Sequence, residues 1–432
     1  MNAKKAVKEA NSFKCRMCKH GGKLSCWPAF SVKENSIEEF KILEDENNII
    51  RKELTCYHTK LPFNENQLGL GLKISKIPRT GNIREAETFY DYISIKAFLK
   101  ESVHHSSSNE RMTHWIPVYF GKDDNKEKFF KFLTKAMSMI MTNSTRNFKK
   151  DFVLEVLPKL MVTIVYHIMD EKKHASIRII RLLTHIHSIF LFCLERFPEL
   201  KESISNTLTK FIKSEEARIK DNQANLGCIL ALLTGVDSHK FKDIAEFYFA
   251  EQLDRQVLWI LKAVPELLEE SMEEDVDANR AKIVFKSQMT SFQMFCFYRL
   301  FIGEVCELRK SRSGMLDEYE NNLCKLTNKE EVEFQKKIFE IQKNVVSFES
   351  FFKYIGLQHR EENEITDMLK QAIKNSERKK YHGEFETLHE LPQSQEQFRK
   401  ILEHIPTYKT FFIVDHKEKQ EGKKTVTTYS VK

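Results

Sequence analysis

From Lys126 onward the apolar residues recur every three or four positions, the period of a helix with one buried face. Leu154, Leu157, Met161, Ile164 and Ile168 mark one helix, and Pro158 inside it is expected to kink or restart the backbone, because proline has no N–H to donate. Ile179, Leu182, Leu183, Ile186, Ile189, Phe190, Cys193, Leu194 and Phe197 hold the same period in a second. Ile177, Ile180 and Leu191 add another apolar face to it, so this helix is expected to be covered on two sides and to end at Pro198. Further helices are expected over Leu226–Leu233, with Gly235 as a left-handed cap, and around Ile244–Leu261, ending before Pro265. Three more fall at Phe285–Leu300, Val332–Val346 and Ile365–Ile373.

The two ends of the chain differ from this middle. Leu68–Ile77 and Trp115–Phe120 read as strands, Glu85–Glu101 as a helix, and Gly121–Lys126 as a loop and boundary. Tyr408–Val414 and Thr425–Val431 have strand-like composition around a charged link, which predicts a terminal β-hairpin. The expected fold is therefore mainly α, an antiparallel helical array resembling a degenerate helical repeat. A small mixed α/β region (1–122) precedes the array (123–405), and a hairpin or tail (406–432) follows it. No motif recurs at a fixed spacing.

Composition narrows this picture. Only 13 Gly and 9 Pro occur in 432 residues, too few for a turn-rich β fold, and 41% hydrophobic residues exclude wholesale disorder. The balance of 69 Lys and Arg against 62 Asp and Glu, a net +7, is mild for this length, so nucleic acid is not an expected partner. The most apolar run, Ile177–Phe197, is broken by Arg178, Arg181, His185, His187, Glu195 and Arg196, so no membrane span is expected there. Nine cysteines, an odd number, without a visible secretory signal point to reduced thiols and a cytoplasmic or nuclear location.

The clearest chemical signal is Cys15-x-x-Cys18, followed by His20, Cys26 and Cys56-x-His58. Two thiolates on a tight turn with a second ligand pair suit one structural zinc, held by Cys15, Cys18, Cys56 and His58, with His20 and Cys26 as alternates. The competing expectation is a set of free thiols in a small β-rich subdomain. It is favoured by the one-residue gap in the second pair. Among the histidines, His185 and His187 lie about 200° apart around a helix and cannot share a metal on one face. His114, His167 and His174 stand alone and read as structural, and His104-His105-Ser106 reads as a loop. Gly69-Leu70-Gly71 lacks the rest of a phosphate-binding loop, and a strand with close backbone approach explains it better. Asp254, Arg255 and Trp259 form the most unusual helical cluster. Arg255 stacked on Trp259 would make a binding hot spot. The stronger expectation is that Trp259 anchors the core while Arg255 ties down a neighbouring helix.

Several segments resemble a helical region of large eukaryotic proteins that also carry a ubiquitin-conjugating-enzyme-like domain. The matching pieces are Cys56-Tyr57-His58-Thr59, Leu68-Gly69-Leu70-Gly71 and Thr113-His114-Trp115-Ile116-Pro117-Val118-Tyr119, then Leu157-Pro158-Lys159-Leu160-Met161, His174-Ala175-Ser176-Ile177 and Asp254-Arg255-Gln256-Val257-Leu258-Trp259. No His-Pro-Asn followed by a catalytic cysteine is present, so the resemblance implies an accessory module near ubiquitin chemistry and carries over no catalytic residue. The expected function is a non-enzymatic scaffold or adaptor for another protein. Two alternatives stand beside it. One is an enzyme with a dispersed site drawn from Cys56, His58, His104, His105 and His114; the other is a zinc-stabilised RNA-binding protein.

Overall fold

The computed structural model describes residues 56–57, 68–76, 83–98, 111–120, 123–170, 175–264, 267, 278–307, 311–322, 324–381, 417–418 and 427–428. Strands β1 (Cys56–Tyr57), β2 (Leu68–Lys76) and β3 (Ile83–Ser94) precede a single-turn helix α1 (Ile95–Phe98) and strand β4 (His114–Pro117). Helices then follow: α2 (Asp123–Thr142), α3 (Phe152–Met169), α4 (Ile177–Arg196), α5 (Pro198–Lys213), α6 (Glu215–Arg218), α7 (Gly227–Leu233), α8 (Phe241–Ala263) and α9 (Ala278–Phe301). A π-helical turn, Ile302–Glu307, extends α9, and α10 (Arg312–Asn321), α11 (Asn328–Asn344), α12 (Phe348–Ile355) and α13 (Glu362–Arg378) complete the array. The fold is mainly helical, as the periodicity dictates, with a small sheet near the amino terminus. At the carboxy-terminal end β5 (Lys417–Glu418) pairs antiparallel with β6 (Thr427–Thr428). Here β6 lies within the expected second strand, while β5 lies in the expected charged link; Tyr408–Val414 is outside the described residues.

Four local expectations need correction. Residues 85–94 belong to strand β3, not to a helix, because β3 pairs along its length with β2, from Leu68↔Ser94 to Lys76↔Ile83. Cross-strand partners outside the segment override its helical pattern. Helix α2 starts at Asp123, inside the expected loop. Helix α3 runs through Pro158 without restarting. A proline inside a helix costs about 3 kcal/mol, from the lost backbone hydrogen bond together with the clash of its ring with the preceding turn, and the complete burial of Leu157, Leu160 and Met161 around the proline offsets it. Gly235 is not left-handed; among the described glycines only Gly356, which caps α12, has a positive φ, +78°.

Two compact units form, each assembled from three stretches of chain. The first comprises Met1–Ile164, Ser176–Arg196 and Ser313–Glu333; the second comprises Val165–Ala175, Phe197–Arg312 and Phe334–Lys432. In the first unit the sheet order is β1-β3-β2-β4, with β1 parallel to β3 and the other pairs antiparallel. Trp115 of β4 meets Phe132 of α2 edge-on at 6.3 Å, and Phe120, Phe129 and Phe192 stack beside them, bringing α4 into the same core. Every residue of α4 from Ile179 to Leu194 is buried. Helices α3 and α4 are long and apolar enough to cross a bilayer, but 61% and 89% of those windows are buried inside the protein. Arg181, His185 and His187 within α4 are among the buried residues, so the surroundings of that helix are protein.

Gly69 and Gly71 show why β2 needs glycine. A Cβ on Gly69 would lie 2.3 Å from the Ile116 carbonyl oxygen and 2.4 Å from the Trp115 ring; one on Gly71 would meet only the Met112 side chain, with its sulfur 1.8 Å away. A strand carbonyl cannot yield, whereas a methionine can re-rotate. Gly69→Ala is therefore expected to cost several times more stability than Gly71→Ala, about 3 kcal/mol against about 1. Urea unfolding of the two variants side by side measures the difference.

The second unit gathers six of the chain's 33 phenylalanines into one cluster. Phe249 of α8, Phe285 and Phe292 of α9, and Phe348, Phe351 and Phe352 of α12 interlock at centroid distances from 4.9 to 6.2 Å, mixing stacked and edge-on contacts. Ser347 caps α12 by accepting from the Ser350 N–H, which fixes where Phe348 enters this cluster.

Candidate functional site

The most concentrated chemistry in the second unit lies on α8. Residues 251–256 are all buried, although five of the six are polar or charged: Glu251, Gln252, Asp254, Arg255 and Gln256. Glu251 is the centre. Its Oε1 accepts from Arg255 Nε at 2.7 Å and from the Tyr381 hydroxyl at 2.8 Å, while its Oε2 accepts from Lys379 Nζ at 2.8 Å. Lys379 also donates to Asp254 Oδ2 at 2.7 Å, and Asn375 donates to Asp254 Oδ1 at 3.3 Å. Arg255 also donates from Nη2 to the carbonyls of Arg218 and Gln223 and from Nη1 to that of Ala224. The network thus joins α8 to the end of α13 and to the turn after α6.

Local geometry places these groups. At the end of α13 Lys380 takes the left-handed conformation, φ +55°, and the Tyr381 N–H donates to the Ser376 carbonyl five residues back at 2.8 Å. This is a Schellman-type helix stop, which turns the chain so that Tyr381 faces α8. The Tyr381 hydroxyl then accepts from the Lys220 backbone N–H at 2.9 Å, and the Lys220 ammonium sits 4.5 Å from the Tyr381 ring centre.

Burial sets the electrostatics. It pushes the Asp254 carboxyl up to about 6, against the opposing hydrogen bond from Lys379. Lys220 is lowered to about 7 by burial first and by the Arg255 charge second. Burial opposes the Lys379 charge too, but hydrogen bonds to Asp254 and Glu251 outweigh it and raise that pKa. Burial likewise raises the Tyr381 hydroxyl. The signs give a pH prediction. Lys220 has a folded-state pKa below its unfolded value, so its charged form destabilises the fold at pH 7, and stability rises as pH climbs from about 7 towards 10.5. Lys220→Met is expected to raise the melting temperature at pH 7 by a few degrees and to flatten its rise with pH. Thermal melts of both proteins from pH 6 to pH 10 check this; a variant less stable than the parent at pH 7 contradicts it.

The first unit holds a second buried network. Arg181 of α4 donates to Glu331 of α11 through Nε at 2.9 Å and Nη2 at 2.6 Å, with the residues 4% and 0% exposed. Lys325 lies 3.9 Å from Glu331 and donates to Asn328 at 3.2 Å. Cys324, at φ +62°, reverses the chain just before Lys325. Burial, then the Lys325 and Arg181 charges, lowers His185 to about 3, against a hydrogen bond to the Cys324 backbone, so the imidazole stays neutral at physiological pH. His187 Nδ1 lies 3.1 Å from the Tyr319 hydroxyl.

Of the zinc candidates, Cys15, Cys18, His20, Cys26 and His58 lie outside the described residues, and only the backbone of Cys56 is described, in β1. His104, His105 and His174 are outside as well. His114 sits in β4 with Nδ1 2.8 Å from the Thr113 hydroxyl, and burial lowers it to about 4. Among the described residues no three His, Cys, Asp or Glu side chains converge to hold a metal ion. The described cysteines, Cys193, Cys228, Cys296, Cys306 and Cys324, are buried and form no disulfide; burial raises the Cys193 and Cys296 thiols, which keeps them protonated. Of the helical cluster, Asp254 and Arg255 are buried in the Glu251 network, while Trp259 is half-buried. Glu251, Lys379, Tyr381 and Lys220 were not legible as a site. The available signal was the Glu251–Arg255 spacing of four on one helix.

No protein-family model matches this chain, and comparison with curated proteins finds no match. The class that the structure itself defines is a mainly helical protein with two internal charge networks and a small amino-terminal sheet.

Proposed function

We propose that the protein is a non-enzymatic helical scaffold that binds another protein. The observation that supports this is the commitment of its densest charge cluster to the fold. Both oxygens of Glu251 and four donor groups of Arg255 and Lys379 are bonded to other parts of the second unit, which fastens three segments into a stiff platform. The resemblance to proteins carrying a ubiquitin-conjugating-enzyme-like domain extends the proposal to a role among ubiquitin-pathway proteins. One structural zinc on Cys15, Cys18 and Cys56 with His58 also belongs to the proposal, with His20 and Cys26 as alternates. A ubiquitin probe with a thiol-reactive end tests the function directly, and an unlabelled chain is expected. Labelling that disappears in Cys56→Ser would favour the enzyme reading. If these residues hold a metal, elemental analysis of freshly purified, reduced protein finds one zinc per chain, and finding none ends the metal proposal.

A further inference from the structure

A net charge of +7 over 432 residues argues against nucleic acid only if the charge is spread evenly, and it is not. Between Lys126 and Lys150 the chain carries seven lysines and arginines against one carboxylate, Glu127. Lys126 pairs with Glu320 at 2.7 Å, and Glu127 pairs with Arg196 at 2.6 Å. Lys131, Lys135, Arg146 and Lys149 are exposed and, among the described residues, meet no carboxylate. Asp151 and Glu155 end the run, and Glu155 pairs with Lys159 at 3.1 Å.

The fold gathers these cations. Lys131 and Lys135 stand one turn apart on α2, a rise of about 6 Å. Beyond α2 the chain turns at Asn143, φ +57°, and packs the Phe148 ring edge-on against Phe130 of α2 at 6.3 Å. That contact brings Arg146 and Lys149 back to the flank of the same helix. At its carboxy-terminal end Lys76 of β2 reaches Asn143 Oδ1 at 3.0 Å and adds another cation. Asn143, Thr145 and Asn147 supply exposed uncharged donors beside them.

We infer that this face of the first unit, α2 with the 143–150 turn, binds the sugar–phosphate backbone of a nucleic acid. From Lys128 to Lys150 the charge is of one sign, and lysine, asparagine and hydroxyl side chains together are the set that contacts phosphates and sugars. Protein interfaces are depleted in lysine, which disfavours an acidic protein as the occupant. A membrane-surface helix needs a broad apolar face, and the one large apolar side chain exposed on α2 is Met139, 44% exposed.

The test uses the full chain and a fluorescein-labelled single-stranded oligouridylate, read by anisotropy across a salt series. Four phosphate contacts give a slope of log Kobs on log salt of about −3. Replacing Lys131, Lys135, Arg146 and Lys149 together by Glu is expected to abolish binding while leaving the melting temperature unchanged. Should that protein melt early, Lys135→Gln and Arg146→Gln singly are each expected to reduce the slope by about 1. Binding that survives these substitutions, or capture by phosphatidylserine vesicles or polyglutamate with none by RNA, overturns the inference.

Discussion

Glu251→Ala is expected to destabilise the protein by about 3–5 kcal/mol, the cost of stranding buried charges by removing their partner. In the parent the carboxylate accepts from Arg255, Lys379 and Tyr381 and is 1% exposed. Without it, the Arg255 and Lys379 cations stay in place with Asp254 and Glu215 as the carboxylates still beside Lys379, and Asp254 is already pushed up to about 6 by burial. Glu251→Gln keeps the shape and one acceptor, so its loss is expected to be smaller. Tyr381→Phe removes a single hydroxyl and is expected to cost about 1–2 kcal/mol. Urea unfolding followed by circular dichroism, with the order Ala, then Gln, then Tyr381→Phe, checks the assignment. A neutral Glu251→Ala would contradict it.

The second large effect lies in the first unit. Arg181→Ala or Glu331→Ala is each expected to cost about 3–5 kcal/mol, because the bidentate pair is buried and either truncation leaves an uncompensated ion. The double variant Arg181→Met with Glu331→Leu removes both charges and refills the space. It is expected to lose less than Glu331→Ala, since two well-packed apolar side chains avoid the desolvation cost that the pair carries, while Lys325 is still left without Glu331. Lys325 sharpens the test. At 3.9 Å from Glu331 it loses that carboxylate in every variant that lacks the glutamate, so Glu331→Ala is expected to exceed Arg181→Ala. Melting temperatures of the three proteins at one pH decide the order, and equal losses for all three would refute the coupled reading.

What was legible in the sequence follows from the range of the forces involved. The helices of the middle region show themselves because each buries a face with period 3.6, a property of the local pattern alone. Strand β3 did not, since its hydrogen-bond partners lie in β2 and nothing inside Glu85–Ser94 specifies them. Glycines at 69 and 71 inside an apolar strand signal a close backbone approach, and the Ile116 carbonyl and Trp115 ring over Gly69 are that approach. Arg255 shows the limit. Its residue type and helix position were visible, but its partners Arg218, Gln223 and Ala224 are more than thirty residues away, and Tyr381 further still. A buried charge looks like an exposed one until its partner is known. The left-handed Lys380 was equally hidden, because lysine carries none of the preference for that conformation that glycine or asparagine would have announced.

On the proposed function the chain holds a partner and does not turn over a substrate. Crosslinking mass spectrometry on complexes captured from the native source tests it most directly, run in parallel on the parent and on a Cys56→Ser, His58→Ala, His114→Ala variant. The scaffold account predicts the same partner in both, in a stoichiometric complex, with crosslinks on exposed helical lysines. A partner recovered as a covalent adduct at Cys56, and lost from the variant, would contradict it.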